Sequence, residues 1–304
     1  MQAQRSPTKT GVCRLYGVQH SPWVQGVLLG FHIRQVPYVL VTCPISWRGY
    51  LERGLIMPEC HWPDGTLTVD SFEILNELER RYPLKCHSLP RLSEREQGAL
   101  ERLFLSYVLG RTAGSKKVAF IAAWSRMPSG QGAGFASISR AFMCLYFWAL
   151  IFFGRHVARQ RRFDPDNFDE FARQLKYWSS HLEDTNYISG DVVGLLDIAL
   201  FGQVQCMASG LTDETFPILK SHPQFMDWIK RMQTATPDYS NDFSNRLTGF
   251  GTKAVSASFG DQILFWVGLL LALCAFPLTL LFLGDAFRRR YTNPSRTGSK
   301  LKKH

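Results

Sequence analysis

Hydrophobic and polar positions change period repeatedly between residues 12 and 83. VCRLYG predicts a strand, Ser21 to Arg34 a helix with Pro22 at its start, and YVLVTC a second strand. ECHW and TLTV flank the turn sequence Pro63-Asp64-Gly65 and predict a hairpin. From Asp70 to Tyr82, the positions Ile74, Leu75, Leu78 and Tyr82 recur at helical spacing and predict an amphipathic helix.

From Ser93 onward every clear signal is helical. Ser93 and Glu96 form a capping box, each side chain meeting a backbone N–H of the first turn. Phe168, Phe171, Leu175, Trp178 and Leu182 fall on one helix face, and Pro223 opens another helix, PQFMDWIKRM. Strand-helix-strand followed by strand-strand-helix predicts a thioredoxin-like domain, since a helical crossover makes a parallel pair and a hairpin adds antiparallel strands. The expected class is α+β, a βαβ-ββα domain followed by an all-helical one. The boundaries read as a disordered start at 1–11, the first domain at 12–83, a linker at 84–92 and the helical domain at 93–240. A second linker follows at 241–262, then an apolar helix at 263–284 and a basic tail at 285–304.

The apolar run from Ile263 to Gly284 is 22 residues without a charge. As a helix it would be roughly 33 Å long against a bilayer core of about 30 Å, which predicts one transmembrane helix with Pro277 tolerated inside it. Ala141 to Phe153 is apolar all round but only 13 residues, and predicts a core or interfacial helix. Just after it, RHVARQRR is basic.

Composition narrows the functions. With 304 residues and 45% apolar content the chain has ample material for a core. The net charge of +10 is concentrated after Gly284, where Arg288, Arg289, Arg290, Arg296, Lys300, Lys302 and Lys303 face Asp285 alone. No stacking or groove-reading motif accompanies this charge, which argues against nucleic acid as a partner. The seven cysteines are scattered with no C-x-x-C pair, which fits a reducing compartment and argues against a zinc site or a disulfide framework. The first residues, MQAQRSPTKTGVC, lack an apolar core and do not read as a secretory signal. RMPSGQGAGF lacks the G-K-[ST] ending of a phosphate loop and follows no strand, so it reads as a loop.

The element order, together with LYGVQHSPWVQGVLLGFHIRQVPYVLV, IMPECHWPDGTLTVDSFEILNEL and GLLDIALFGQV, resembles the glutathione S-transferase superfamily over roughly residues 12 to 235. Ser-Pro-aromatic is closest to its serine-type, tau-like classes. The resemblance makes Ser21 the hydroxyl that donates to the glutathione sulfur. A thiol of pKa about 8.5 is a poor nucleophile at neutral pH, and a hydroxyl donor at a helix N-terminus favours its thiolate. A serine here is also the commonest helix N-cap, so both readings stand. Tyr16 is a second candidate hydroxyl. His20 beside Ser21 is not a catalytic pair, since no G-x-S-x-G elbow exists.

The resemblance further implies that Met57-Pro58 is a cis-proline pair whose backbone meets the cysteinyl part of glutathione, and that Asp70-Ser71 holds the γ-glutamyl end. Proline at a strand start, and Asp and Ser as helix caps, are the structural alternatives. Gly194 with Asp197 matches a structural capping box in which glycine replaces the usual Ser or Thr. Two positions depart from the family pattern: Gly26 stands for an arginine and Ile56 for a basic residue, so the glycyl carboxylate lacks its cation unless Arg53 supplies one.

The expected function is a membrane-anchored transferase that conjugates or reduces hydrophobic electrophiles with glutathione as co-substrate, compatible with a homodimer. The alternative is a catalytically silent scaffold or interaction protein, like membrane-anchored relatives on mitochondrial outer membranes. The positive-inside tendency puts the basic tail in the cytoplasm, whereas the missing signal keeps the head there. A cytosolic head with a tail anchor, in an outer mitochondrial or similar membrane, is the expected arrangement.

Overall fold

Strands β1 (Cys13–Tyr16), β2 (Tyr38–Val41), β3 (Glu59–His61) and β4 (Leu67–Val69) form one sheet in the order β2-β1-β3-β4. The computed structural model describes residues 11–18, 21–41, 46–54, 56–84, 91–111, 155–156, 158–160, 169–207, 215–237, 239, 259–274 and separate positions between 277 and 289. The apolar block 141–153, the stretch 126–135 and Phe168 lie outside the described residues.

β1 runs parallel to β2 and antiparallel to β3, and β3 is antiparallel to β4. This is the expected thioredoxin-like arrangement. Helix α1 (Pro22–Ile33) makes the crossover between the parallel strands. The hairpin closes where Trp62 donates its N–H to the Thr66 carbonyl at 2.9 Å. Gly65 takes φ +82° there, and Asp64 Oδ1 accepts from the Thr66 N–H at 2.9 Å. Cys13, Leu15 and Cys60 point to the buried face, while Arg14 is exposed. Helix α3 (Ser71–Arg81) packs beside α1, and a buried Arg34–Glu79 ion pair at 2.5 Å ties the two together.

Two features depart from the sequence reading. Between β2 and β3 the chain forms a further helix, α2 (Trp47–Arg53), capped by Ser46, whose Oγ accepts from the Gly49 N–H at 2.9 Å. At the expected half-box, Asp197 is fully buried and accepts from the N–H groups of Gly194, Ile188 and Ser189 and from Trp228 Nε1, at 2.8–3.1 Å. A Cβ at Gly194 would fall on the Ser189 side chain, so glycine is required there and the carboxylate makes up the box from other donors.

The second half comprises α4 (Glu94–Arg111), α5 (Asp169–Ser180), α6 (Leu195–Met207), α7 (Thr215–Lys220), α8 (Pro223–Ala235) and α9 (Phe259–Cys274). The capping box at α4 is made in both directions: Ser93 donates its N–H to Glu96 Oε2 at 2.6 Å, and the Glu96 N–H reaches Ser93 Oγ at 3.3 Å. Phe171, Leu175 and Trp178 form the buried stripe of α5. Helix α1 is apolar nearly all round, burying Val24, Val27, Leu28, Leu29 and Phe31, because α6 covers the side that the sheet leaves open.

Among the described residues no helix is long and apolar enough to cross a membrane. This departs from the spanning helix expected over 263–284. Of that stretch, α9 covers the part up to Cys274, and residues 275–276, 279–280 and 282–283 lie outside the described residues.

Candidate functional site

The end of β1, the start of β3 and the end of β4 meet at one edge of the sheet. A Cβ on Gly17, just past β1, would lie 3.7 Å from the Pro58 Cβ. Asp70, just past β4, donates its N–H to the Pro58 carbonyl at 2.9 Å. The Met57-Pro58 peptide bond is cis, as the sequence reading required.

Asp70 sits at φ +77° and caps α3 by accepting the Phe72 N–H at 2.9 Å. Ser71 is the buried first residue of α3, where the helix dipole and first-turn N–H groups suit an anionic group. Ser21 follows the same sheet edge: its N–H donates to the Val18 carbonyl at 2.9 Å, and α1 starts at the next residue. Trp23 packs edge-on against Phe72, ring centroids 5.4 Å apart, and against Phe104 of α4 at 5.5 Å. That contact brings the start of α1 to the start of α3. Ser21, Met57-Pro58 and Asp70-Ser71 therefore share one corner of the molecule.

At Ser21 the two sequence alternatives separate. Its backbone is extended, φ −76° and ψ 125°, and its carbonyl accepts the Gln25 N–H, so the residue occupies the N-cap position. The side chain makes no capping hydrogen bond. Although buried, the hydroxyl is not committed to the helix it precedes. Tyr16 stands elsewhere, with its ring 4.9 Å from the His61 ring on the opposite face of the sheet from Leu15.

That opposite face carries a cluster unanticipated by the sequence reading. The fully buried Glu59 carboxylate accepts the Ser46 N–H at 3.0 Å and the Ser46 hydroxyl, and it contacts His61 Nε2. Ser46 Oγ also lies 3.3 Å from the same Nε2. A serine-histidine-acid relay needs the acid and the serine on different ring nitrogens, so this trio is not one. It anchors α2 instead: a Cβ on Gly49 would run into the Glu59 carboxylate. The signals available were the alternation in Glu59-Cys60-His61, which puts the two polar residues on one face, and Ser46 as a helix cap.

The departures at Gly26 and Ile56 acquire different meanings. Gly26 is buried where α1 crosses α6, and its Cβ direction faces the Ala199 backbone at 3.4 Å. A side chain there would point into packing, away from the sheet edge. Ile56 precedes the cis pair and is half-buried. Arg53 ends α2, and its side chain lies outside the described residues. The buried Cys60 thiol is pushed well above the ordinary thiol range by its hydrogen bond with Cys13 and by burial.

No family model and no curated protein matches the chain. Solved structures similar to it are glutathione transferases. A glutathione transferase homolog from Drosophila mojavensis, with bound glutathione, is 17% identical and covers 82% of this chain and 100% of its own, at a TM-score of 0.49. The Bombyx mori protein described as glutathione S-transferase unclassified 2 is 15% identical over 79% of this chain and 95% of its own, at 0.47. A delta-class glutathione transferase from Nilaparvata lugens is 18% identical over 79% and 96%, at 0.46.

Proposed function

We propose that this chain binds glutathione at the shared corner and uses it against an apolar electrophile. The observation that carries the reading is the Ser21 hydroxyl, held at the N-terminus of α1 without a capping bond. Such a hydroxyl is available to a thiolate, and a charge-assisted O–H···S hydrogen bond lowers the thiol pKa. The thiolate would then attack the electrophile's carbon, forming the thioether as the leaving group departs.

The remaining contacts follow from the corner's chemistry. The Met57 backbone beside Pro58 offers strand-like hydrogen bonding to the cysteinyl unit, and the start of α3 at Ser71 suits the γ-glutamyl carboxylate. Asp70, whose Oδ1 caps α3, would accept from the glutathione ammonium. Trp23, edge-on to Phe72 and Phe104, supplies aromatic surface two residues from Ser21 and supports an apolar second substrate. In this reading 263–284 attaches the protein to a membrane, supported by the exposure of Ile263, Val267, Leu270, Leu271, Leu273, Leu278 and Leu281.

A silent interaction protein is the second reading. Ile56 favours it, since an aliphatic side chain offers nothing to a carboxylate. Gly26 favours it too, since glycine supplies no cation for that carboxylate. Retention on immobilised glutathione separates the two readings: the intact chain should be retained and eluted by free glutathione, with Ser71→Ala retained poorly. A folded chain that passes straight through would sink the transferase reading.

A further inference from the structure

The residues just after the apolar run touch the thioredoxin-like half directly. Tyr50 of α2 donates its hydroxyl to Asp285 Oδ2 at 3.0 Å. Arg289 donates to the Leu51 carbonyl at 3.2 Å, and its guanidinium lies 5.4 Å from the Tyr50 ring centre. Asp285 is itself held by Arg288 at 3.0 Å and Arg289 at 2.6 Å. The contact is therefore a small network of one carboxylate, two guanidiniums, a phenol and a backbone carbonyl.

This network constrains topology. The helical half reaches the apolar run from its other end, through the chain between Tyr239 and Phe259. Were the run to cross a bilayer with the Tyr50–Asp285 contact intact, that connecting chain would have to return through the hydrocarbon. That connecting sequence carries Asp242, Arg246 and Lys253, and charged side chains are costly in hydrocarbon.

Helix α2 presents a matching surface. Trp47 is 75% exposed and stacks on Tyr50, and Leu51 is 41% exposed. Arg48, Arg288 and Arg289 border them. An exposed tryptophan and leucine beside the end of an apolar helix, with Arg48 paired to Glu52 and Arg288 and Arg289 paired to Asp285 close by, have the chemistry of the layer between lipid headgroups and acyl chains.

We propose that the apolar segment is monotopic: both of its ends lie on the same side of the membrane as the folded domains, and α2 sits in the interfacial layer through Trp47 and Leu51. This rests on the membrane attachment proposed above and refines it. It also places the basic tail and the folded domains together, in the compartment that the positive-inside tendency assigns to the tail.

The test uses the full chain on sealed vesicles of phosphatidylcholine and phosphatidylserine. Chain carrying Tyr50→Cys with Asp285→Cys is floated with the vesicles, treated with a short bis-maleimide whose reach replaces the two shortened side chains, and digested to map the cross-link, with each single variant controlling for native thiols. The expected result is a cross-link in the floated fraction and a tail that external trypsin removes. Trp47→Ala should lower the bound fraction about tenfold, the scale for withdrawing one large aromatic from the interface. A floated chain with no cross-link and a protected tail would overturn the monotopic arrangement while leaving membrane attachment in place. A folded chain that does not float would overturn the attachment itself, and the arrangement with it.

Discussion

Gly202 of α6 faces Gly26 of α1 so closely that a Cβ on Gly202 would stand 2.6 Å from the Gly26 Cα and closer still to its amide nitrogen. The two helix backbones are in contact at this crossing. The absence of a side chain at Gly202 is therefore a packing requirement of the crossing, while at Gly26 a Cβ alone would find ordinary contact with the Ala199 backbone.

Gly202→Ala is therefore expected to overpack the crossing and lower unfolding free energy by about 1–3 kcal/mol in chemical denaturation. Gly26→Ala should change it by less than about 1 kcal/mol, since its Cβ meets nothing nearer than 3.4 Å and alanine favours the helix. Gly26→Arg should unfold the protein and leave glutathione retention no better, because a guanidinium there is buried without a partner.

Ser21→Ala should separate chemistry from capping. Removing a side-chain N-cap costs about 1 kcal/mol, but the Ser21 hydroxyl makes no such bond, so the melting temperature should hardly move. Conjugating activity at neutral pH should fall roughly 10–100-fold, the size of a lost charge-assisted hydrogen bond. Equal loss of stability and activity would assign the hydroxyl to the fold.

Glu59→Gln should loosen α2 with little effect elsewhere. The amide keeps the shape but places a donor among Ser46 N–H, Ser46 O–H and His61, for a cost of about 1–3 kcal/mol. Amide hydrogen exchange should accelerate across Trp47–Arg53 more than in α1 or α3.

Acid stability should carry the signature of Glu170. Burial alone would raise its pKa, but hydrogen bonds from Arg102 at 2.7 Å, from Arg173 and from Gln174 outweigh it and hold the carboxyl below the ordinary value of 4.5. A depressed folded pKa gives stability that is fully present above 4.5 and lost as pH falls through the folded value. Glu170→Gln should flatten the stability curve below that pH, measured by denaturant titrations at stepped pH. An unchanged slope would remove Glu170 from the tie between α4 and α5.

Where local pattern and tertiary structure agree, the sequence was readable. The alternation in β1 and β3, the Pro63-Asp64-Gly65 turn, the Ser93–Glu96 box and the α5 stripe are each set by neighbours a few residues away. Helix α2 escaped notice because WRGYLER is short and its hold on the sheet is a carboxylate from β3. The packing of Gly26 against α6 was not legible because its neighbours, Ala199 and Gly202, belong to a distant segment. The corner residues were legible as types, but that the Ser21 side chain makes no capping bond depends on its three-dimensional surroundings.

The coverage of α1 by α6 has a cost during synthesis. A nearly all-apolar helix leaves the ribosome early, while the helix that shields it begins only at Leu195. At about 5–20 residues per second, the nascent chain exposes that surface for roughly ten to thirty seconds. Fragments ending before α6 should accordingly be recovered as aggregates or chaperone complexes, and productive folding of the corner around Ser21 waits until α6 has been made.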